Sequence, residues 1–378
     1  MKRIGLYIHI PFCIKKCNYC DFVSIATVSL LPDYMKALIK EIQLKSDADF
    51  WVDTIYFGGG TPSILNADEI CSICQSIKKH WQIQEHPEIT IEINPGTLSH
   101  DKMQSWKTSG INRINLGVQS FHNRHLMQLG RIHNATDADR AIHLLKDAGF
   151  QNIGLDLMFG IFDQTINEWK KDLLQALSYY PQHLSCYSLT YEPGTPLYEQ
   201  LQQNKICALP DKSVRQMMEI LFQTMADHQY DHYEISNFAS SVNFRSQHNQ
   251  KYWQRKPYIG LGAASHSFIE NKRFWNCSDV AEYIQKLFNN CNPIENCENL
   301  TIEQRIIEYI FLGLRQKEGI HFHDFKSVFS YCFKALFSVV LKELDASGYL
   351  DITSDTCRLS NHGKFFLDSI CQKLVNAL

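Results

Sequence analysis

The stretch that most constrains this chain is residues 4–22, Ile-Gly-Leu-Tyr-Ile-His-Ile-Pro-Phe-Cys-Ile-Lys-Lys-Cys-Asn-Tyr-Cys-Asp-Phe. A short apolar strand runs directly into Cys13, Cys17 and Cys20, spaced CxxxCxxC. Three thiolates in so short a loop can wrap one face of a [4Fe–4S] cube and leave the fourth iron open to a small molecule. The competing reading is zinc. A closed structural zinc site wants four ligands, usually in two pairs. Cys71 and Cys74 are the nearest candidate pair, with no second pair after them. The cluster is therefore preferred to zinc, and to three unconnected thiols.

Downstream, short apolar strands alternate with longer amphipathic helices. Strands are predicted at Gly5–Ile10, Thr54–Phe57, Glu88–Ile93, Arg113–Val118, Asn152–Met158 and His183–Leu189. Helices are predicted at Pro32–Lys45, Ala67–His80, Ser99–Ser109, Ala135–Ala148 and Ile166–Leu177. Such repetition implies an α/β fold with parallel strands and right-handed crossovers. Six units are too few for an eightfold barrel, so a partial (βα)6 barrel is expected. That is the usual core of the radical SAM superfamily, whose cysteine motif this loop resembles. The resemblance implies S-adenosylmethionine (SAM) at the open iron.

In a parallel barrel the chemistry sits at the C-terminal strand ends. The unusual residues fall there: the cysteine loop, Gly58-Gly59-Gly60-Thr61-Pro62, Glu92-Ile93-Asn94-Pro95, Gly117-Val118-Gln119-Ser120, and Asp156 before Phe159-Gly160. The sixth strand runs into Thr190-Tyr191-Glu192-Pro193-Gly194-Thr195-Pro196. Glycines let a ligand approach the main chain closely. Glu92 and Asp156 are carboxylates on otherwise apolar strands and need a partner or a ligand. The partner could be Arg113 or Arg131; the ligand could be the ribose or amine of SAM.

Length and composition limit the rest. The 378 residues suit one large α/β domain plus a smaller one. Three parts are expected: residues 1–210, a radical SAM partial barrel; 211–299, an aromatic-rich α+β extension; and 300–378, a winged-helix-like unit. The last is read as helices Ile302–Leu314, Phe322–Phe329 and Lys334–Ala346, two strands and a final helix, with residues 278–300 as a linker. A DNA-binding winged helix needs a basic face. Residues 300–378 hold nine Lys+Arg against nine Asp+Glu, and the whole chain carries a formal charge of -3, so no nucleic-acid partner is expected. Thirteen cysteines without a disulfide-like pattern fit a reducing cytosol. The run after Met1-Lys2-Arg3 is broken by His9 and Pro11, unlike a signal peptide. No stretch approaches ~18 uninterrupted apolar residues, so a cytoplasmic chain without a transmembrane segment is expected, transient membrane contact remaining open.

His248-Asn249-x-x-Tyr252-Trp253 sets an imidazole beside two large aromatics. A flat macrocycle with a central iron suits such a surface. An ordinary aromatic core cluster with a hydrogen-bonded histidine has the same composition.

Taken in order, these motifs, with Leu-Gly-Arg-x-His and Leu-Asp-Leu-Met-Phe-Gly, resemble the oxygen-independent coproporphyrinogen III oxidase (dehydrogenase) family of radical SAM proteins. The resemblance runs nearly end to end from Tyr7. It implies a [4Fe–4S] cluster on Cys13, Cys17 and Cys20. It implies SAM contacts from Tyr7, Tyr19, Gly59, Gly60, Thr61, Glu92, Gln119, Arg131 and Asp156. Two branches differ at one telling position. The oxidases resemble CxxxCxxCxC and carry a longer N-terminal segment; here position 22 is Phe22. The heme chaperone branch has Phe there, starts abruptly and carries HNxxYW. Membership in that branch implies heme binding at His248, Asn249, Tyr252 and Trp253, and delivery to acceptor hemoproteins of the respiratory chain. Porphyrin-forming oxidase activity is the alternative, so enzymatic turnover is left open. One departure is the turn at Ala264 and Ser265, where the family usually has Gly-x-Gly-x-Gly-Ala-His; His266 is retained.

Overall fold

The computed structural model describes residues 2–378. Six parallel strands lie in consecutive order at the centre of a twelve-stranded sheet. They are β1 (Lys2–Ile10), β2 (Phe50–Gly59), β3 (Gln82–Ile93), β4 (Arg113–Gln119), β5 (Ile153–Phe159) and β6 (His183–Ser188). Between them come α1 (Leu31–Leu44), α2 (Ala67–His80), α3 (His100–Ser109), α4 (Asn123–Gln128), α5 (Ala135–Asp147) and α6 (Ile166–Ser178). Local chemistry sets several helix starts. Asn66 with Glu69, Asn134 with Asp137 and Thr165 with Glu168 form reciprocal capping boxes. Each satisfies two backbone donors that a helix start leaves unpaired.

Strand side chains alternate between two faces. On β1, Ile4, Leu6 and Ile8 are buried in the main hydrophobic core, which Leu38, Ile73, Trp106 and Trp169 of the helices share. Gly5, Tyr7 and His9 take the other face. Tyr7 pairs in register with Tyr56 of β2, so the two rings share that second face. This is the α/β architecture that the alternation predicted.

The chain then continues through α7 (Pro196–Gln202) and α8 (Asp211–Asp227). The next strands extend both edges of the same sheet. β7 (Asp231–Glu234) and β8 (Asn237–Ala239) lie outside β6. After α9 (Gln247–Trp253), β9 (Tyr258–Leu261) joins β1 in parallel. β10 (His266–Ile269), β11 (Lys272–Asn276) and β12 (Ile294–Asn299) complete that edge. Residues 278–300 are thus not a plain linker. They hold α10 (Val280–Phe288), whose Val280, Tyr283, Ile284 and Leu287 are buried, and the edge strand β12.

A separate core forms from α11 (Ile302–Arg315) onward, around Ile310, Phe325, Phe333, Phe337, Leu344 and Ile370. Its sheet has three strands rather than two: β13 (Ile320–His321) pairs with β15 (Thr356–Leu359), which pairs with β14 (Leu350–Ile352). The helix predicted at Lys334–Ala346 is broken at Phe337 into Phe333–Leu336 and Ser338–Ala346. Phe337 fills that core, and its backbone leaves the helical region. Among the described residues no helix is long and apolar enough to cross a membrane.

Candidate functional site

The cysteine loop follows β1 and is closed at its base. Cys13 N–H donates to Ile25 O at 2.9 Å, and Ile25 N–H to Pro11 O at 2.8 Å. Asn18 ties it to the far side: its N–H donates to Leu129 O at 2.9 Å and its side chain to Gln128 O at 3.0 Å. Leu197 N–H in turn donates to Asn18 O at 2.9 Å. Two sulfurs receive hydrogen bonds from other strand ends. Thr61 Oγ1 donates to Cys13 Sγ and Arg131 Nη1 to Cys17 Sγ, each at 3.5 Å. Burial raises the Cys20 thiol, against the lowering pull of the Phe22 N–H. All three cysteines are free of disulfides, Cys13 buried and the others half-buried. The two donors suit the charge that a thiolate carries, although among the described residues no three His, Cys, Asp or Glu side chains are drawn together as a metal site.

Gly60 belongs to this cradle. A Cβ there would lie 2.7 Å from Phe12 O, 2.9 Å from Ile10 O and 3.0 Å from Cys13 Sγ. Two of these neighbours are backbone and cannot turn aside. Gly60→Ala is therefore expected to cost about 1–3 kcal/mol of folding stability, by urea unfolding, and to lower iron uptake.

The carboxylates face the same space. Tyr56 Oη donates to Glu92 Oε1 at 2.7 Å, and Asn115 Nδ2 to Asp156 Oδ1 at 3.4 Å. Burial pushes Glu92 up to about 7, with the Tyr56 hydrogen bond opposing and the Asp156 charge reinforcing. Burial likewise pushes Asp156 up to about 6, against the Ser185 hydrogen bond and the Arg113 and Arg131 charges. Arg131 Nη2 donates to Gly117 O at 2.8 Å, and its guanidinium also bonds Tyr19. Tyr7 Oη lies 3.2 Å from His9 Nδ1. Gln119 sits at φ 68, beside a register shift between Gly117 and Gln119 on β4. Such a shift re-aims a side chain at a sheet rim. Tyr7, Tyr19, Gly59, Gly60, Thr61, Glu92, Gln119, Arg131 and Asp156 thus stand around the cysteine loop and the strand ends beside it. Tyr56, which the sequence reading passed over, orients Glu92. Its only sequence signal is the alternation that puts Thr54, Tyr56 and Gly58 on one face.

The His248–Trp253 segment is α9, and it packs behind Tyr56 and Tyr7 rather than on the cysteine loop. His248 packs against Gly5 and Thr54, midway along β1 and β2, next to Tyr7 and Tyr56, whereas the cysteines follow the end of β1. The imidazole is fully buried. Its Nδ1 is 2.8 Å from Thr54 Oγ1, and its Nε2 is 2.8 Å from Tyr252 Oη. It stacks on Tyr56 at 5.1 Å between centroids. Glu88 accepts from the N–H groups of Gln247 at 3.0 Å and His248 at 2.9 Å, and Lys251 pairs with Asp53 at 2.7 Å. Asn249 donates its N–H to Ser246 Oγ at 3.3 Å, and Trp253 lies under Arg315 at 4.7 Å. In this closed conformation neither ring nitrogen of His248 is free for an iron.

Burial drives His248 and His232 down to about 3, and His133 to about 4, from 6.5. The unfolded chain then binds more protons below pH 6.5 than the folded one, so stability rises with pH there. Glu92 and Asp156 pull the other way, because their folded forms hold protons more tightly. His9, His183 and His266 are lowered as well, and Asp172 is raised, so six histidines outweigh three carboxylates and the melting temperature is expected to fall as pH drops from about 6.5 to about 5. Thermal denaturation across that range tests this; a rising melting temperature would contradict it.

Known proteins resemble this chain along most of its length. Residues 7–176 match the Radical SAM superfamily, and residues 300–366 match the HemN C-terminal domain. The chain is 34% identical to the heme chaperone HemW of Bacillus subtilis over 95% of each chain. It is 33% identical to the heme chaperone HemW of Escherichia coli over 98% of this chain and 97% of that one. Its fold is similar to that of a solved radical SAM enzyme, coproporphyrinogen III oxidase (HemN) from Escherichia coli. The TM-score is 0.84 at 22% identity, with 100% of this chain and 91% of that one covered.

Proposed function

The chain belongs to the HemW heme chaperone family of radical SAM proteins, and from that premise we propose that it binds heme and delivers it to acceptor hemoproteins. The observation that carries this reading is relatedness to heme chaperones across 95% or more of the chain, with Phe22 following the third cysteine. In this reading residues 1–210 hold the cofactors, 211–299 bring the HNxxYW segment and 300–378 form the C-terminal unit. Cys13, Cys17 and Cys20 would hold a [4Fe–4S] cluster, with SAM on the open iron. Tyr7, Tyr19, Gly59, Gly60, Thr61, Glu92, Gln119, Arg131 and Asp156 would surround SAM. When bound, the cluster and SAM supply one-electron chemistry. The protein's own part is to seat them: Arg131 and Thr61 donate to two of the sulfurs, and Glu92 and Asp156 offer negative charge to a cationic ligand.

Heme binding by His248, Asn249, Tyr252 and Trp253 carries a conformational requirement. To free an imidazole nitrogen, His248 must give up either Thr54 Oγ1 or Tyr252 Oη. Respiratory hemoproteins, as acceptors, belong to the same proposal.

The test is anaerobic. Protein reconstituted with iron and sulfide is titrated with heme, and a parallel sample receives coproporphyrinogen III, SAM and a reductant. Heme uptake without porphyrinogen decarboxylation is the expected result. Decarboxylation without heme uptake would favour the oxidase instead.

A further inference from the structure

One turn past the histidine of α9, Tyr252 starts a line of aromatic rings. Its Oη lies 2.8 Å from His248 Nε2, and its ring stands edge-on to Tyr258 of β9 at 4.7 Å between centroids. Tyr258 pairs in register with Phe268 of β10, and the two rings are 6.5 Å apart. Tyr258 also pairs with Gly5 of β1, and residues paired across strands share a face. The line therefore runs on the face of the sheet where His248 packs against Gly5. The Arg255 guanidinium lies over Phe268 at 5.6 Å and ends the line.

Arginine is concentrated at that end, where α9 meets α11. Trp253 lies under the Arg315 guanidinium, and its O accepts from Gln316 Nε2 at 3.2 Å. Arg315 is held in turn by Glu234. Two residues past Trp253, Arg255 Nε donates to Glu308 Oε2 at 3.2 Å. Arg273 of β11 bonds the other oxygen of that carboxylate and reaches Glu298 at 2.8 Å. Arg305, one turn before Glu308 on α11, is within electrostatic range of Arg255 and has no ion pair among the described residues. Arg255, Arg273 and Arg305 thus face two carboxylates, Glu298 and Glu308.

The surplus charge goes with unmet donors. Arg255 Nη2, Arg305 Nε and Trp253 Nε1 are buried and have no hydrogen-bond acceptor among the described residues. Leaving a buried donor unpaired is costly, more so when it is charged. Burial pulls the Arg255 guanidinium below its ordinary value, with Glu308 opposing and the Arg305 charge reinforcing. Such a cluster calls for an anion with paired oxygens. Between it and His248 Nε2 stand the rings of Tyr252, Tyr258 and Phe268, an apolar wall that suits a flat macrocycle.

Resting on the heme-chaperone reading, which puts heme at His248, we infer that the propionates of that same heme are bound by Arg255 and Arg305, with Tyr258 and Phe268 against the porphyrin face and Trp253 Nε1 as a further donor. Because Arg305 comes from α11, the C-terminal unit is part of the cargo site.

The test compares two ligands on full-length, cluster-reconstituted protein under anaerobic conditions: heme, and heme dimethyl ester, whose esterified propionates carry no charge. The unmodified chain is expected to bind heme about tenfold or more tightly than the ester. Arg255→Gln and Arg305→Gln should each lower heme affinity about tenfold, leave ester affinity unchanged and keep the Soret position, since neither touches the iron. Arg305→Lys, which keeps the charge and loses the fork, should fall between. The melting temperature checks that each variant folds, and Arg305, with no ion pair to lose, is expected to hold it. Equal affinity of the unmodified chain for heme and ester would overturn the propionate assignment and leave the chaperone reading intact. So would folded variants that lose both ligands to the same extent. No uptake of either ligand by the unmodified chain would overturn both.

Discussion

Cys17→Ala is expected to take up almost no cluster: after anaerobic reconstitution, iron should fall from about four per chain to well under one. The cube would lose one of its three protein ligands. Arg131, which donates to Cys17 Sγ, is a cation and cannot take its place. The fold should survive. The loop is closed by Cys13 with Ile25 and held by Asn18 with Leu129 and Gln128, none of which needs the Cys17 sulfur. Arg131 keeps its bond to Gly117 O. Cys71→Ala is the control, since Cys71 lies on α2 away from the loop. Its iron content should match that of the unmodified chain. Iron retained in Cys17→Ala would contradict its role as a ligand, and iron lost in Cys71→Ala would bring the Cys71 and Cys74 pair into the metal site.

The second large effect concerns Glu92. Its carboxyl is raised to about 7 by burial, so much of it is protonated at pH 6 when no ligand is present. SAM carries a sulfonium and an ammonium, and a cationic ligand favours the ionised form. Binding therefore releases a proton, and affinity should climb by up to about tenfold per pH unit until about pH 7. Near pH 7.7–8.0 an α-amino group loses its own charge, so the curve should turn down again. Glu92→Gln should remove the acidic limb. It should also weaken binding near pH 7.5 by roughly ten- to hundredfold, as expected for losing a hydrogen bond to a charged group. Equilibrium dialysis across pH reads both. A Glu92→Gln profile that keeps the acidic limb would assign that limb to another group, Asp156 being the nearest candidate.

Some of this was legible in the sequence because it is local. The capping box Asn66-x-x-Glu69 and the spacing of Ile70, Ile73 and Ile77 set the start and the buried face of α2 without any distant partner. The six strand ends and the cysteine loop are likewise runs of adjacent residues. What escaped depends on contacts far apart in the chain. The partners of His248 are Thr54 and Glu88, from β2 and β3, and no spacing rule joins them. Glu41 gathers Lys45, Gly262, Asn276 and Tyr283. β12 reads Ile-Glu-Asn-Cys-Glu-Asn, with polar residues on both faces, because an edge strand need bury neither. The helix before it was a missed signal of the ordinary kind: Val280, Tyr283, Ile284 and Leu287 are spaced for one face. Gln119 at positive φ is set by an irregularity in pairing with β5, which sequence alone does not reveal.

The central claim is that this radical SAM fold carries heme as cargo. Its most direct test is an anaerobic heme titration of the cluster-loaded chain, followed by mixing with an apo-hemoprotein under conditions that scavenge free heme. Saturable, stoichiometric uptake, with heme then passing to the acceptor, is the expected result. A chain that takes up no heme with its cluster intact would contradict it.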